Sequence, residues 1–282
     1  NTHVVLAGCF FFFSPRRAAP PPPAGGPPPP PPPPDGTPYT LDAHFSNVSI
    51  AKAIKVGTSS EVSAKYTYTL THGADVDIHA SDFHTDVFLY HGSYTDTAPE
   101  LDGDDWATCT DVTSTTATCT GYINIYPADG DLKIAWAGSW NVAAEAIAFN
   151  GQDEQNPADM SKVGYTDDSS LGTTLVQRYS KQTVAASSTS VYKGKTFTAS
   201  GKLSRADWDD HLYHGYANQP VKLQFRKAGT TTYTTVKTVY TDSYGNLKTS
   251  ATANYSGYWR YSFAGTSTTP AATATGVYVG VK

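Results

Sequence analysis

The chain has 282 residues, a formal net charge of −5 and only 16% charged residues, so nothing in it favours binding to nucleic-acid phosphates. It contains 19 tyrosines and one methionine, a composition typical of a β-rich extracellular protein and not of a helical cytosolic enzyme. No apolar run approaches the roughly 20 residues that a helix needs to span a bilayer, and the length fits one large or two ordinary domains.

Residues 1–38 form a low-complexity segment rich in phenylalanine and proline. A run of four aromatic residues, Phe10–Phe13, is followed by the proline tracts Pro20–Pro23 and Pro27–Pro34. Proline tracts are excluded from sheet interiors and favour the extended polyproline II conformation. The segment is therefore predicted to be a stalk, a leader or an anchor, with residues 14–38 lacking helix and strand.

Cys9 ends the sequence Leu-Ala-Gly-Cys, which resembles the lipobox of bacterial lipoproteins. The resemblance implies a lipid anchor at Cys9. Only Val4–Leu6 precede the motif as an apolar stretch and no basic segment is present, so a chance match or a truncated leader is the alternative.

Residues 39–180 are predicted to form an N-terminal β-sandwich that ends in a long loop. Strand-like segments alternate with turns rich in glycine, proline and aspartate, whereas residues 150–180 lose this periodicity apart from a short return at Leu175–Gln177. The predicted strands are Phe45–Ile54, Glu61–Thr71, Val87–Tyr90, Thr118–Tyr126, Leu132–Trp136 and Trp140–Phe149.

Cys109 and Cys119 lie ten positions apart and are flanked by β-branched residues. This spacing suits a bond between two neighbouring strands joined by a short loop, and in an oxidising compartment we predict a disulfide. Two buried free thiols are the alternative. A catalytic role is not favoured, because no histidine is near either cysteine in sequence.

Three aspartates, Asp102, Asp104 and Asp105, cluster in one loop of this domain. Oxygen-rich loops suit Ca²⁺, so these residues are the predicted metal ligands and calcium is the one cofactor considered. The loop is not an EF-hand, because its twelfth position would be Thr113. A solvated turn is the alternative interpretation.

Residues 181–282 are predicted to form a second β-sandwich. In Gln219–Lys227, apolar residues alternate with Lys222, Gln224 and Arg226, and in Tyr258–Phe263 Trp259, Tyr261 and Phe263 alternate with polar or tyrosine positions. This period of two indicates strands with one buried face. About seven such strands in roughly 100 residues favour a Greek-key, immunoglobulin-like fold.

The segment 205–216 of this domain concentrates aromatic, acidic and imidazole side chains between two strands. Rings that stack on a sugar beside carboxylates that accept its hydroxyl hydrogen bonds would form a glycan site, whereas the same residues could close one end of the sandwich. We expect Trp208 to pack inward and Tyr216 to face solvent. The predicted ligand-binding residues are Trp208, Asp209, Asp210, His211, Tyr213, His214 and Tyr216.

The segments GKLSRADWDDHLYHGYANQPVKLQFRK (201–227), TDSYGNLKTS (241–250) and SGYWRYSFAGTSTTP (256–270) resemble the immunoglobulin-like module of secreted actinobacterial proteins of uncharacterised function, some described as calcium-binding. The similarity covers roughly residues 183–282 closely and residues 45–180 more loosely. It implies the fold and export from the cell, and it implies no reaction.

The chain lacks the Gly-x-Ser-x-Gly, His-Glu-x-x-His and phosphate-binding glycine motifs, so we predict that it is not an enzyme. We expect a secreted or envelope-associated, all-β protein of two tandem sandwiches. Its role would be to bind a partner or to serve as a structural component, as an adhesin-like or assembly protein does. Its partner would be a protein or glycan surface. Two alternatives remain: a carbohydrate-binding module that uses residues 205–216, and a calcium-stabilised surface protein.

Overall fold

The computed structural model describes residues 36–282 and the backbone of two short strands at Val4–Leu6 and Cys9–Phe11. Regular structure in this part of the chain consists of β-strands and three short 3-10 helices, which confirms the predicted all-β class. No helix in it is long and apolar enough to cross a membrane. The side chain of Cys9 and the proline tracts lie outside the described residues.

The strands are numbered in chain order. They are β1 Val4–Leu6, β2 Cys9–Phe11, β3 Tyr39–Thr40, β4 Ala43–Ile50, β5 Ala53–Val56, β6 Val62–His72, β7 Phe83–Tyr90, β8 Glu100–Leu101, β9 Thr108–Thr113, β10 Thr116–Ile125, β11 Gly138–Ala148, β12 Gly164–Asp168, β13 Thr173–Arg178, β14 Ser180–Gln182, β15 Ala185–Ala186, β16 Ser190–Val191, β17 Thr196–Ala206, β18 Tyr213–Gly215, β19 Pro220–Lys227, β20 Thr234–Tyr240, β21 Asn246–Thr252, β22 Gly257–Phe263, β23 Ala272–Thr273 and β24 Val277–Val281. The 3-10 helices span Pro127–Asp129, Ile134–Trp136 and Met160–Lys162.

The chain divides into two compact units. Unit 1 contains Asn1–Lys52, Val62–Ile125 and Ser139–Thr174, and unit 2 contains Ala53–Glu61, Tyr126–Gly138 and Leu175–Lys282. The sequence predicted two uninterrupted domains that meet at 180/181. The structure differs in two ways: the last segment of unit 2 begins at Leu175, and two inner segments, 53–61 and 126–138, also belong to unit 2.

Unit 1 is a sandwich of two sheets. One has the order β4-β6-β10-β9 and is antiparallel throughout. In the other, β12, β11, β7 and β8 are neighbours in antiparallel pairs, and β3 joins β12 in parallel. Alternate residues of β6 point inward, so that Tyr66, Tyr68 and Leu70 are buried. Tyr68 Oη lies 2.8 Å from Thr85 Oγ1, which joins the two sheets.

Unit 2 is also a sandwich. In its first sheet β17 pairs with β14, β15, β18 and β21. The second has the order β16-β24-β22-β19-β20, with β23 beside β22. The predicted alternation is confirmed: Trp259, Tyr261 and Phe263 are buried. Tyr261 Oη donates a hydrogen bond of 3.0 Å to the carbonyl oxygen of Ala199 on the facing sheet.

The strand predicted at Leu132–Trp136 is wrong. Ile134–Trp136 is a 3-10 helix, and the amide of Trp136 donates to the carbonyl of Lys133 at 2.9 Å. Three alternating apolar residues imitate a strand. However, hydrogen bonds within this short helix satisfy the backbone N–H and C=O groups that a strand would pair with a neighbouring strand.

Residues 150–180 contain more structure than their composition predicted, because β12 and β13 lie within them. The sequence of β12, Gly-Tyr-Thr-Asp-Asp, has one buried apolar side chain, Tyr165. Its first residue, Gly164, is packed so closely that a Cβ would lie 2.6 Å from the ring of Tyr39. This strand packs through a glycine and one tyrosine. Its sequence therefore lacks the alternation of apolar and polar residues by which a strand is predicted.

The predicted disulfide between Cys109 and Cys119 is confirmed. The two residues are direct partners on the antiparallel strands β9 and β10, with a Cα–Cα distance of 4.0 Å. The strand β9 is an edge strand, exposed along most of its length. The bond therefore fastens an edge strand to the sheet of unit 1.

We expect reduction of this disulfide to lower the free energy of unfolding by about 3 kcal/mol at most, because the closed loop is short and chain entropy in the unfolded state rises only modestly. Chemical denaturation with and without reductant would measure the change. The double variant Cys109→Ala/Cys119→Ala is the control, since reductant should not alter its unfolding. An equal response to reductant in both proteins would contradict the assignment.

Candidate functional site

The segment 205–216 is a β-hairpin and not an irregular loop. The strand β18 folds back antiparallel on the end of β17. The carboxylates of Asp207 and Asp210 each accept a hydrogen bond of 3.0 Å from the backbone amide two residues further on, those of Asp209 and Leu212. Aspartates in this arrangement form turns with their own backbone. These two residues therefore shape the hairpin.

Trp208 is an internal anchor of unit 2. Its side chain is 1% exposed, and its Nε1 donates a hydrogen bond of 3.0 Å to the carbonyl oxygen of Gly57. The expectation that Trp208 packs inward is confirmed. A buried indole presents no ring face to a ligand, so Trp208 cannot stack on a sugar in this structure.

The tyrosines of the hairpin are covered by neighbouring side chains. The Lys181 ammonium lies 3.4 Å from the ring centroid of the half-buried Tyr213. Tyr216 packs edge to face against Phe263 at 5.8 Å, and the Arg205 guanidinium lies 3.8 Å from its ring. The predicted outward orientation of Tyr216 is therefore wrong, because the ring is half-buried and belongs to the margin of the core.

A buried ion pair lies beneath the hairpin. The Arg178 side chain is 7% exposed, donates from Nε to the carbonyl of Ala206 at 2.6 Å, and lies 3.3 Å from Asp207 Oδ2. Burial lowers the pKa of the Arg178 guanidinium. Asp209 in turn accepts a hydrogen bond of 3.1 Å from the amide of Ile134. These acidic residues are thus engaged by unit 2 itself.

Asp207, Asp210 and His214 place one ligand atom each within 4.8 Å of one another. In residues 36–282 this is the only such group of three acidic, histidine or cysteine side chains. Asp210 and His214 are joined at 2.6 Å, and this hydrogen bond lowers the pKa of Asp210. Of the other predicted ligands, His211 is exposed with a φ of 60° and lies outside the group.

The three aspartates of the predicted calcium loop do not converge on one point within the described residues. Asp104 and Asp105 are exposed, and Asp102 is half-buried. The backbone carbonyl of Asp102 accepts a hydrogen bond of 2.8 Å from the amide of Asn124, which ties the loop to β10. Calcium binding at Asp102, Asp104 and Asp105 remains a prediction.

A second candidate site, which sequence analysis did not identify, lies on the outer face of unit 2. The residues opposite the buried set on β19, β22 and β24 form a continuous surface of tyrosine and guanidinium groups. Their alternation was visible in the sequence, but sequence alone did not show that neighbouring strands bring them together. We call this surface the tyrosine–arginine face and define it as Gln224, Arg226, Tyr233, Tyr258, Arg260 and Tyr278.

The arginines of the tyrosine–arginine face are stacked on its rings. The guanidinium carbon of Arg260 lies 3.7 Å from the ring centroid of Tyr233, and that of Arg226 lies 4.2 Å from Tyr258 and 5.3 Å from Tyr233. Arg260 Nε also donates to Gln224 Oε1 at 2.8 Å. Such contacts hold a planar cation in one orientation while leaving part of its edge available.

Unit 1 contains a row of carboxyl groups. The only signal of this row in the sequence is Glu145, an acidic residue in an alanine-rich strand. Glu145 on β11 lies directly between Asp167 on β12 and Asp86 on β7. Glu145 and Asp86 are each 6% exposed. Tyr165 Oη donates to Glu145 at 3.1 Å, and Tyr66 Oη donates to Asp86.

Burial favours the neutral form of two members of this row, Glu145 and Asp86. Loss of solvation raises the pKa of Glu145 to about 8 and raises that of Asp86 well above its ordinary value. Burial and then the charge of Glu145 raise the pKa of the neighbouring Glu100 to about 8. A carboxyl group with a raised pKa donates a hydrogen bond as well as accepting one, which lets like groups share a sheet face.

Comparison with known proteins gives similarity to solved structures only. No family model and no curated protein matches the sequence. The adhesin InvE of Yersinia pseudotuberculosis is 12% identical over 83% of this chain and 58% of its own, with a TM-score of 0.26. The Escherichia coli adhesin FdeC is 11% identical over 86% and 65%, with a TM-score of 0.32. The D0-D1 domains of intimin are 15% identical over 84% and 98%, with a TM-score of 0.25. The chain spans less than two thirds of the length of the first two adhesins.

We expect Trp208→Ala to lower the free energy of unfolding by about 3–5 kcal/mol, because it removes a large buried ring and leaves a cavity. Tyr192→Ala is the matched control, since this aromatic residue of the same unit is 70% exposed and its loss should cost within about 0.5 kcal/mol. Urea denaturation of both variants measures the difference. Similar small losses in both would mean that Trp208 does not anchor the hairpin.

We also expect the free energy of unfolding to fall as pH rises from about 4.5 to about 8. The Glu145 carboxyl has an ordinary pKa of 4.5 and a folded pKa of about 8, so across this window the unfolded chain loses a proton that the folded chain keeps. The contribution is complete below the lower value and lost above the higher one.

Glu145→Gln tests this assignment, because the amide keeps an acceptor for Tyr165 but cannot ionise. Urea denaturation at several pH values should give a flatter pH dependence for the variant, and the variant should be more stable than wild type at pH 9. Parallel curves for the two proteins would show that Glu145 does not titrate in this window.

Proposed function

We propose that this chain is a non-catalytic, adhesin-like binding or structural protein of the extracellular space or cell envelope, built from immunoglobulin-like modules. The observation that carries the proposal is the tyrosine–arginine face. It displays guanidinium groups packed on tyrosine rings on the outside of a sheet, and tyrosine and arginine are among the residues enriched where proteins contact partners. The disulfide of unit 1 supports an oxidising location.

The face has the properties of a preformed recognition surface. The cations are oriented by rings and by a side-chain hydrogen bond, so little side-chain entropy is lost when a partner binds. The sheet beneath it is fixed by the buried side chains of Trp259 and Tyr261. Residues 205–216 are less suited to binding, because Trp208 is buried and Tyr216 is packed against the core.

We expect the purified full chain to sediment with at least one extracellular material, such as isolated cell walls, exopolysaccharide or extracellular-matrix protein. The double variant Arg226→Ala/Arg260→Ala should bind at least tenfold more weakly, because it removes both cations and the ring contacts that orient them. The bound material should be recovered with its mass unchanged, as expected for binding without catalysis.

The matched control is Lys195→Ala/Lys248→Ala, which removes two exposed positive charges of unit 2 away from the face. This variant should retain wild-type sedimentation. Thermal unfolding of all variants verifies that they are folded. Failure of the wild-type chain to bind any of the materials, or equal binding by the Arg226→Ala/Arg260→Ala variant, would contradict the proposal.

A further inference from the structure

Two guanidinium groups meet at one ring on the tyrosine–arginine face. The guanidinium carbons of Arg226 and Arg260 lie 5.3 Å and 3.7 Å from the ring centroid of Tyr233. Arg226 is further held by a hydrogen bond of 2.6 Å from its Nη1 to the carbonyl of Thr230. Nη1 of Arg226 and Nε of Arg260 are thus engaged within the protein, and each guanidinium carries further N–H donors.

No carboxylate neutralises this pair within the described part of the chain. Neither Arg226 nor Arg260 has an acidic oxygen within 4.0 Å among residues 36–282. The sequence from 211 to 282 contains Asp242 as its single acid. The same range contains seven basic residues: Lys222, Arg226, Lys227, Lys237, Lys248, Arg260 and Lys282. In a chain of net charge −5, residues 211–282 are therefore locally positive, and the two guanidinium groups of the face complement an anion.

The geometry of guanidinium favours one kind of anion. Its planar fork matches a carboxylate through two parallel N–H···O hydrogen bonds, and these charge-assisted bonds are shorter and stronger than neutral ones. Two neighbouring forks suit a polymer that carries a carboxylate on successive units. A single small anion would engage only one of them at a time.

The surroundings of the pair favour a polysaccharide over a protein. No aliphatic side chain occupies the outward positions of β19, β22 and β24 around the pair. These positions are Lys222 to Arg226 on β19, Tyr258 to Ser262 on β22, and Tyr278 on β24. Stable protein interfaces combine tyrosine and arginine with an apolar core, and these outward positions supply no such core. Hydroxyl, amide and phenol groups instead match a partner rich in hydroxyl groups.

Tyrosine rings at the margin of the pair add a stacking surface. Tyr278 is 43% exposed, and its ring lies 5.2 Å from that of Tyr258 in an edge-to-face contact. Further along β22, beyond Arg260, Ser262 Oγ and Thr273 Oγ1 lie 3.1 Å apart on the exposed surface. Aromatic rings and hydroxyl groups along one face offer contacts to both the C–H and the O–H groups of a sugar chain.

We infer that the tyrosine–arginine face binds an acidic polysaccharide whose sugar units carry carboxylate groups, with the carboxylates on Arg226 and Arg260 and a sugar ring against Tyr278. The inference rests on the proposed function and names the partner class of the same surface. Because the contact is electrostatic and exposed, its affinity falls as salt concentration rises.

The test measures the affinity of the full chain for immobilised polygalacturonate by biolayer interferometry at low salt. We expect binding that weakens at least tenfold when the same polymer is methyl-esterified, since esterification removes the charge and keeps the sugar. The variant Arg226→Ala/Arg260→Ala should also bind at least tenfold more weakly than wild type, and the Lys195→Ala/Lys248→Ala control should bind within twofold of it.

A charge-conserving variant examines the role of the guanidinium fork. Arg226→Lys/Arg260→Lys keeps both charges but cannot form the paired hydrogen bonds or the planar stack, so we expect at least a threefold loss of affinity. Wild-type affinity in this variant would overturn the fork-based assignment. Equal or tighter binding of the wild-type chain to poly-glutamate or to single-stranded DNA would overturn the choice of a polysaccharide.

Failure of this inference can be distinguished from failure of the proposed function. If the chain sediments with another extracellular material through the face but does not bind polygalacturonate, the partner class is wrong and the proposed function stands. If it binds neither polygalacturonate nor any of the other materials, both are wrong. Binding to polygalacturonate that is insensitive to Arg226→Ala/Arg260→Ala would overturn the assignment of the site.

Discussion

The edge-to-face packing of Trp259 against Phe197, with 5.1 Å between ring centroids, joins the two sheets of unit 2. Because successive side chains of a strand point to opposite faces, burial of Trp259 and Tyr261 forces Tyr258 and Arg260 outward. A slip of one residue would bury a guanidinium and expose an indole, and both changes cost free energy. The core therefore determines which side chains unit 2 displays.

The two units accommodate ionisable groups in different ways. In unit 1 the carboxyl groups of Glu145 and Asp86 are enclosed, and burial favours their uncharged form, which tyrosine hydroxyl groups partner. A guanidinium cannot shed its charge at ordinary pH, so Arg226 and Arg260 in unit 2 remain at the surface and stack on tyrosine rings. The row of carboxyl groups thus affects the stability of unit 1, whereas the two arginines lie where a partner could contact them.

The hairpin at 205–216 illustrates how side chains suited to ligands can be used by the fold itself. Asp207 and Asp210 accept hydrogen bonds from backbone amides of the hairpin, and Asp207 also faces the buried Arg178. Its tryptophan fills the interior and donates to the backbone of Gly57. A polar and aromatic composition is common to binding loops and to tight, anchored turns, so composition alone does not separate them.

The sequence by itself determined the all-β class, the disulfide between Cys109 and Cys119 and the inward and outward faces of β19 and β22, because period-two alternation and cysteine spacing are local signals. Only the tertiary structure decided the membership of 53–61 and 126–138 in unit 2 and the existence of the polar β12. It alone packed Tyr216 against the core and gathered six residues from separate segments into the tyrosine–arginine face. These features depend on which strands become neighbours, and that pairing is set by the burial of distant side chains and leaves no periodic pattern in the sequence.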